Sequence, residues 1–335
     1  MKILLIRFSS MGDVILTSPV LTYLKTAHPE SSITFITDCA YVSLFSLDPR
    51  VNRVIGLKKG DPCPLREPFD KVIDLQNSKR SSRLLSDWGL KADGVFRKYH
   101  LARTLLLLFR INTYPEGLNV PQRYLLAAGS DGREIPQLKM YLQDFPPQKV
   151  LNWLKEEDYR PVLALFPFSA WKNKQWPGEY FAQTGRYFVS KGWKILVMGG
   201  KEDVEDSRKI CSEIGGQSLS VAGELSLAQC GSLLTRCSLA LGNDSGLSHL
   251  ARACGVRTGI IYGPTTRHFG FFPFGEPPYR VFERKMLCRP CHPHGGHFCP
   301  LGHWNCMKKL IPQEVIAGLE DLRCKPICKT ENANV

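Results

Sequence analysis

Two polar loops in this chain of 335 residues carry side chains that could do chemistry. Near the start, Arg7-Phe-Ser-Ser-Met-Gly-Asp13 sets a carboxylate just behind an apolar run. Far downstream, Leu241-Gly-Asn-Asp-Ser-Gly-Leu-Ser-His-Leu250 brings Asp244, Ser245, Gly246 and His249 together. A carboxylate facing a hydroxyl can take its proton as the oxygen attacks carbon. A loop that opens a helix offers unpaired N–H groups and the positive end of a dipole, which suits a diphosphate. Gly246 allows close approach, and His249 falls one turn along on the same face. Asp244 and Ser245 also fit as plain N-cap oxygens, which needs no ligand at all.

Three further loops add to this set. Phe166-Pro-Phe-Ser-Ala-Trp-Lys-Asn-Lys-Gln-Trp-Pro177 carries Lys172 and Lys174 before a helix that opens at Pro177. A lysine there could neutralise a leaving phosphate; the alternative is an ordinary exposed loop lysine. Gly199-Gly200-Lys-Glu-Asp203 pairs glycines with acids, a composition suited to ribose hydroxyls. Gly263-Pro-Thr-Thr266 is a second small polar loop at the same edge.

The elements that must position these loops alternate between strand and helix. Apolar runs predict strands at Lys2–Phe8, Ile33–Thr37, Val54–Leu57 and Lys71–Leu75, and the spacing over Val14–Leu24 predicts a helix. Residues 130–160 are rich in turns and prolines, which places a linker there and divides the chain into domains 1–150 and 151–335. The alternation restarts with strands at Val162–Phe166, Lys194–Met198, Ser218–Val221, Ser238–Leu241 and Gly259–Tyr262. Helices are expected at about 178–190, 202–214, 226–234 and 245–254. Two such halves imply an α/β protein with two doubly wound parallel sheets. Ligands then belong at the carboxyl ends of the strands, toward a central cleft.

Composition limits the partners. The chain is 43% hydrophobic and 22% charged, as in soluble globular proteins. Lys2 and Arg7 bracket only four apolar residues, so no signal peptide is expected here, and no run approaches the roughly 20 residues of a membrane span. The expected location is the cytoplasm. A net charge of +13, spread over both halves, favours anionic partners. Its one local concentration lies in residues 78–110, with Lys79, Arg80, Arg83, Lys91, Arg97, Lys98, Arg103 and Arg110 against Asp87 and Asp93. This segment reads either as a solvated helix face, as a cradle for a phosphorylated or carboxylated substrate, or as a site for anionic lipid headgroups.

Taken in order, SSMGD, KxWP, GG followed by acids, and NDSGLSHLA followed by YGPT resemble glycosyltransferase family 9, the heptosyltransferases of the lipopolysaccharide inner core. The resemblance spans nearly the whole chain. It implies a GT-B fold, with acceptor on the N-terminal half and an ADP-heptose donor (ADP-L-glycero-D-manno-heptose) on the C-terminal half. It implies inverting transfer to a Kdo or heptose residue of a lipid A–Kdo type acceptor, with no metal at the reaction centre, on the inner face of the inner membrane. By this likeness Ser169 and Lys174 contact the donor phosphates, Asp244, Ser245, Gly246 and His249 surround the diphosphate and sugar, and Glu202 takes the ribose in competition with Asp203 and Glu205. Asp13 is then the general base, Gly12 gives it room, and Ser9 and Ser10 orient the acceptor. Lys79, Arg80 and Arg83 become acceptor contacts.

A last motif stands apart. Cys288, Cys291, Cys299 and Cys306 occur within nineteen residues, together with four of the eight histidines. A CxxC opening followed by two more cysteines suits a tetrahedral thiolate site for zinc or iron, and buried free thiols are the alternative. Within the family, members that modify proteins carry a four-cysteine iron finger, so a protein or other glycan acceptor is a second expectation. A nucleotide-sugar epimerase or hydrolase is a third. A basic chain with a cysteine finger also fits a nucleic-acid-binding protein, but the window 288–306 holds Arg289 as its only Lys or Arg, so no nucleic acid is expected. Cys324 and Cys328 form a looser pair without an assignment.

Overall fold

The computed structural model describes residues 1–62, 67–154 and 159–326. Two compact units emerge. Unit 1 comprises Met1–Asp144 with Ser226–Gly231 and Arg267–Phe272; unit 2 comprises Phe145–Leu225, Ser232–Thr266 and Pro273–Val335.

Unit 1 contains five parallel strands: β1 (Lys2–Ile6), β2 (Ser32–Thr37), β3 (Arg53–Gly56), β4 (Lys71–Asp74) and β5 (Gly94–Val95), ordered β3-β2-β1-β4-β5. Strand β1 is the central member, and Ile3 to Ile6 are fully buried. A parallel strand covered on both faces must be apolar on both, hence an unbroken run rather than an alternation. The helix expected over Val14–Leu24 is two helices, Met11–Ile15 and Ser18–Ala27. Pro19 is the reason: it has no N–H to give to an earlier carbonyl and is tolerated only in a first turn, where it sits in the second helix.

Unit 2 contains six parallel strands: β6 (Val162–Phe166), β7 (Lys194–Val197), β8 (Ser218–Ser220), β9 (Leu239–Asn243), β10 (Thr258–Tyr262) and β11 (Tyr279–Glu283). Their order, β11-β10-β9-β6-β7-β8, is the dinucleotide-fold pattern 3-2-1-4-5-6 read from the other edge. Trp176, Leu163, Ile195, Leu241, Ile261, Phe282, Met307 and Leu319 share its core. Edge strand β11 and the helix Pro312–Cys324 were not expected from the sequence.

Each sheet has one place where the chain reverses its winding. In unit 1 it falls between β1 and β4, in unit 2 between β6 and β9. At such a point neighbouring strands send their loops apart and leave a crevice at their carboxyl ends. Asp13 follows β1, while Lys174 and Asp244 follow β6 and β9.

Candidate active site

At the unit 1 switch point, Gln76 ties the loop after β4 to the loop after β1. Its Oε1 accepts the N–H groups of Phe8 (2.9 Å) and Ser9 (3.2 Å). Arg7, at the end of β1, is buried and donates through Nη1 to the Leu75 carbonyl (2.6 Å). Its Nη2 lies 2.7 Å from Asp13 Oδ1. Burial opposes the charge on Arg7, but Tyr124 and Asp13 outweigh it and raise the guanidinium above its usual value. The Tyr124 hydroxyl donates to the same Oδ1 (3.2 Å). Complete burial, above all, pushes that phenol well above its ordinary range, so it remains a donor at neutral pH.

The other oxygen of Asp13, Oδ2, accepts from the Ser10 backbone N–H (3.1 Å) and hydroxyl (2.8 Å). This is a capping box, so Asp13 has a structural duty at the start of helix Met11–Ile15. The carboxylate nevertheless keeps 14% of its surface open. Gly12 lies buried in the same turn, and Ser9 and Ser10 are exposed at its entrance.

The basic segment divides. Arg80 is half-buried: it stacks on Phe8 at 3.8 Å, pairs with Asp38 (3.3 Å) and donates to the Leu57 carbonyl (2.5 Å). Arg83 is exposed and faces Asp87, one turn along its own helix, at 3.8 Å, and Lys79 is exposed. The three do not form one cradle. Further along, helix His100–Phe109 buries Ala102 and Leu106 against Tyr114 and Phe269 while Leu101, Leu108 and Phe109 stay exposed.

At the unit 2 switch point an amide side chain again ties two loops. Asn243, at the end of β9, accepts the Trp176 N–H (2.9 Å) through Oδ1 and donates through Nδ2 to the Pro167 carbonyl (2.7 Å). Gly242 is required beneath it, since a Cβ there would stand 2.6 Å from both the Phe166 ring and Ser248 Oγ. Between the two candidate lysines the structure distinguishes sharply. Lys172 is exposed, whereas Lys174 is buried and ion-paired with Asp244, which also accepts the Thr265 hydroxyl (3.2 Å).

Ser245 is the N-cap of helix Gly246–Ala253 but makes no capping bond, and its buried Oγ has no protein partner. The first-turn N–H groups of that helix are therefore not consumed by their own cap, which leaves them for an anion. His249 is buried one turn further on. Ser169 Oγ accepts the Trp171 N–H (3.4 Å). After β7, Asp203 is engaged by the Gly200 N–H (2.8 Å), and burial raises its carboxyl above the usual range. Glu202, beside Gly200, and Glu205 are both exposed, so of the competing acids only Asp203 is drawn in.

The metal expectation at the cysteine motif gains no support. Among the described residues, no three His, Cys, Asp or Glu side chains are placed to hold a metal ion. Cys291 feels the other three sulfurs, but burial is the larger influence and pushes its thiol to about 11. Cys291 Sγ donates to the Cys288 carbonyl (3.1 Å), and Cys299 Sγ accepts the Trp304 N–H (3.4 Å). The zinc or iron expectation has no support in this geometry. Cys328 lies outside the described residues.

Two functional candidates were missed in the sequence, Arg7 and Tyr124. Arg7 stood within the quoted motif and, as a cation ending a buried strand, could have been singled out. Tyr124 lies 111 residues from Asp13, and nothing local marks it.

Comparison with known proteins agrees with these features. The model of glycosyltransferase family 9 (heptosyltransferase) matches residues 64–294. A lipooligosaccharide heptosyltransferase 2 of Haemophilus influenzae is 25% identical over 301 residues, covering 80% of this chain and 85% of its own. The E. coli ADP-heptose lipopolysaccharide heptosyltransferase II structure superposes with a TM-score of 0.76 at 21% identity, covering 96% of this chain and 98% of its own. The iron-containing dodecameric glycosyltransferase TibC of enterotoxigenic E. coli has the same fold at a TM-score of 0.63 and 16% identity, covering 96% of this chain and 75% of its own. The chain thus belongs to glycosyltransferase family 9, the heptosyltransferases, and is a glycosyltransferase of GT-B fold.

Proposed function

We propose that this enzyme moves a heptose from ADP-heptose to a Kdo or heptose residue of the lipopolysaccharide inner core, with inversion at the anomeric carbon. The observation that carries this is the pair of charged switch points, Asp13 in unit 1 and Lys174 in unit 2. The printed names of the relatives, which are lipopolysaccharide and lipooligosaccharide heptosyltransferases, support the donor and the acceptor class.

In this mechanism Asp13 removes the proton from the acceptor hydroxyl as that oxygen bonds to the anomeric carbon and the bond to the ADP oxygen breaks. Arg7 and Tyr124 fix Oδ1, and the Ser10 hydroxyl, which is exposed, gives up its bond to Oδ2 when the acceptor hydroxyl takes its place. Lys174 and the N–H groups at the start of helix Gly246–Ala253 stabilise the charge that grows on the departing diphosphate. Ser169 and His249 line that site, and Glu202 accepts from the ribose hydroxyls. The test is ADP release from ADP-heptose with and without a lipid A–Kdo acceptor. Release that depends on acceptor is expected; release without it would instead mark a hydrolase.

We also assign the exposed side of helix His100–Phe109 to the anionic membrane surface on which such an acceptor lies. Leu101, Leu108 and Phe109 are exposed there, and Arg97, Lys98, Arg103 and Arg110 occur on or beside the helix. Apolar residues flanked by bases are what an interfacial helix needs. Among the described residues no helix is long and apolar enough to cross a membrane. Co-sedimentation with phosphatidylglycerol vesicles should fall on Leu108→Ser/Phe109→Ser substitution. Equal binding by the double variant would remove this assignment.

A further inference from the structure

The segment from Cys288 to Cys306 has no part in the chemistry so far, yet it holds both donor-side loops of unit 2. Asn173 stands between Lys172 and Lys174, is buried, and spends its polar groups on this segment. Its N–H donates to the Gly296 carbonyl (3.0 Å), and its Oδ1 accepts the Gly296 N–H (2.8 Å). Its Nδ2 donates to the Phe298 carbonyl (3.2 Å), and its own carbonyl accepts Trp304 Nε1–H (2.9 Å). Next to it, Gly295 passes so close to the lysine loop that a Cβ would stand 2.6 Å from Trp171 Cβ and 2.7 Å from Lys174 Cδ.

The same segment grips the second loop. The Cys291 N–H donates to the Pro264 carbonyl (2.9 Å), and Arg289 Nη2 donates to the Thr265 carbonyl (2.9 Å). Thr265 in turn donates its hydroxyl to Asp244, the partner of Lys174. At its far end the segment is rooted in the core of the unit through Cys306 and Met307.

We infer that the cysteine-rich segment is the positioning element of the diphosphate site, and that Asn173 is the positioning residue through which it sets Lys174. This rests on the proposal that Lys174 meets the donor diphosphate. A lysine is a point charge on a flexible stem, so its value to a fixed phosphate depends on how firmly its backbone is held. Asn173 supplies that hold from both sides, by main chain and side chain, at the residue next to the charge.

The test is calorimetric titration of ADP into the wild-type chain and Asn173→Ala, with steady-state kinetics alongside. Asn173→Ala should weaken ADP binding and raise the donor KM by about tenfold while leaving the acceptor KM unchanged. Asn173→Asp keeps the acceptor for the Gly296 N–H but loses the donor to Phe298, and should fall between the two. Wild-type affinity in Asn173→Ala, or equal changes in both KM values, would overturn the inference. Should Asn173→Ala not fold, Trp304→Phe decides, because it keeps an aromatic ring while the N–H is lost with the rest of the indole; unchanged ADP affinity there overturns it as well. Failure of the wild-type chain to bind ADP is a separate result, which strikes the diphosphate proposal and this inference with it.

Discussion

At the switch point of unit 1 a carboxylate is held by a guanidinium and a phenol; at that of unit 2 an ammonium is held by a carboxylate. In both, an amide side chain, Gln76 or Asn243, ties the loops of two neighbouring strands by paired hydrogen bonds. The sheet order around the reversal is also the same, 3-2-1-4-5 with one more strand in unit 2. The difference lies in what each carboxylate is for. Asp13 has partners on both oxygens, yet its side chain stays 14% exposed, which is what the proposed role of base requires. Asp244 is engaged by Lys174 and by the Thr265 hydroxyl, and its side chain is 8% exposed. In unit 1 the carboxylate is the more open member of its ion pair, whereas in unit 2 the two members are about equally buried.

The largest effect that would break this comparison is expected at Asp13. Asp13→Asn keeps the shape and removes the base, so turnover should fall by about 10³-fold with ADP affinity unchanged. Near wild-type turnover would leave Asp13 with its capping duty alone. Lys174→Met should cost about 10²-fold in kcat/KM for the donor. It also strands the buried Asp244, with a loss on the order of 3 kcal/mol in unfolding experiments. Adding Asp244→Asn should recover stability without activity, and a double variant that recovered both would deny Lys174 its role. The smallest change sharpens the unit 1 side. Tyr124→Phe removes one hydrogen bond to Oδ1 and should lower kcat about three- to tenfold, with the acceptor KM little changed. Because that phenol is raised well above its usual range, the wild-type pH–rate profile should show no limb from it near neutrality.

Much of the scaffold was legible because parallel strands buried on both faces write themselves as apolar runs. Strand Val162–Phe166 and helix Gly178–Ser190 have the bounds the sequence suggested. Edge strand β11 escaped because Tyr279–Glu283 buries only Phe282 and carries the charged, exposed Arg280 and Glu283. In the site, residues next to strand ends could be read, since loops at carboxyl ends are where ligands go. What could not be read was commitment. Residue type and spacing alone do not separate Lys172 from Lys174 or Glu202 from Asp203; the family likeness points to Lys174 and Glu202, and the fold shows that Lys174 is buried in an ion pair and Asp203 tied to a backbone N–H. Arg80 looked like a substrate contact by composition, but stacking on Phe8 and pairing with Asp38 occupy it.

The tie made by Gln76 has a consequence for how the enzyme comes into being. The opening motif is complete within the first 13 residues, yet its bonds reach Gln76, Leu75 and Tyr124, which enter the chain much later. A nascent chain that has not yet passed residue 71 holds every letter of the motif and none of its geometry. Such distant pairings are costly in loop entropy and tend to close late. The hold on the carboxylate is therefore complete only when β4 and the helix Val120–Ala128 have docked, so if Asp13 is the base we propose, a partly folded enzyme is an inactive one.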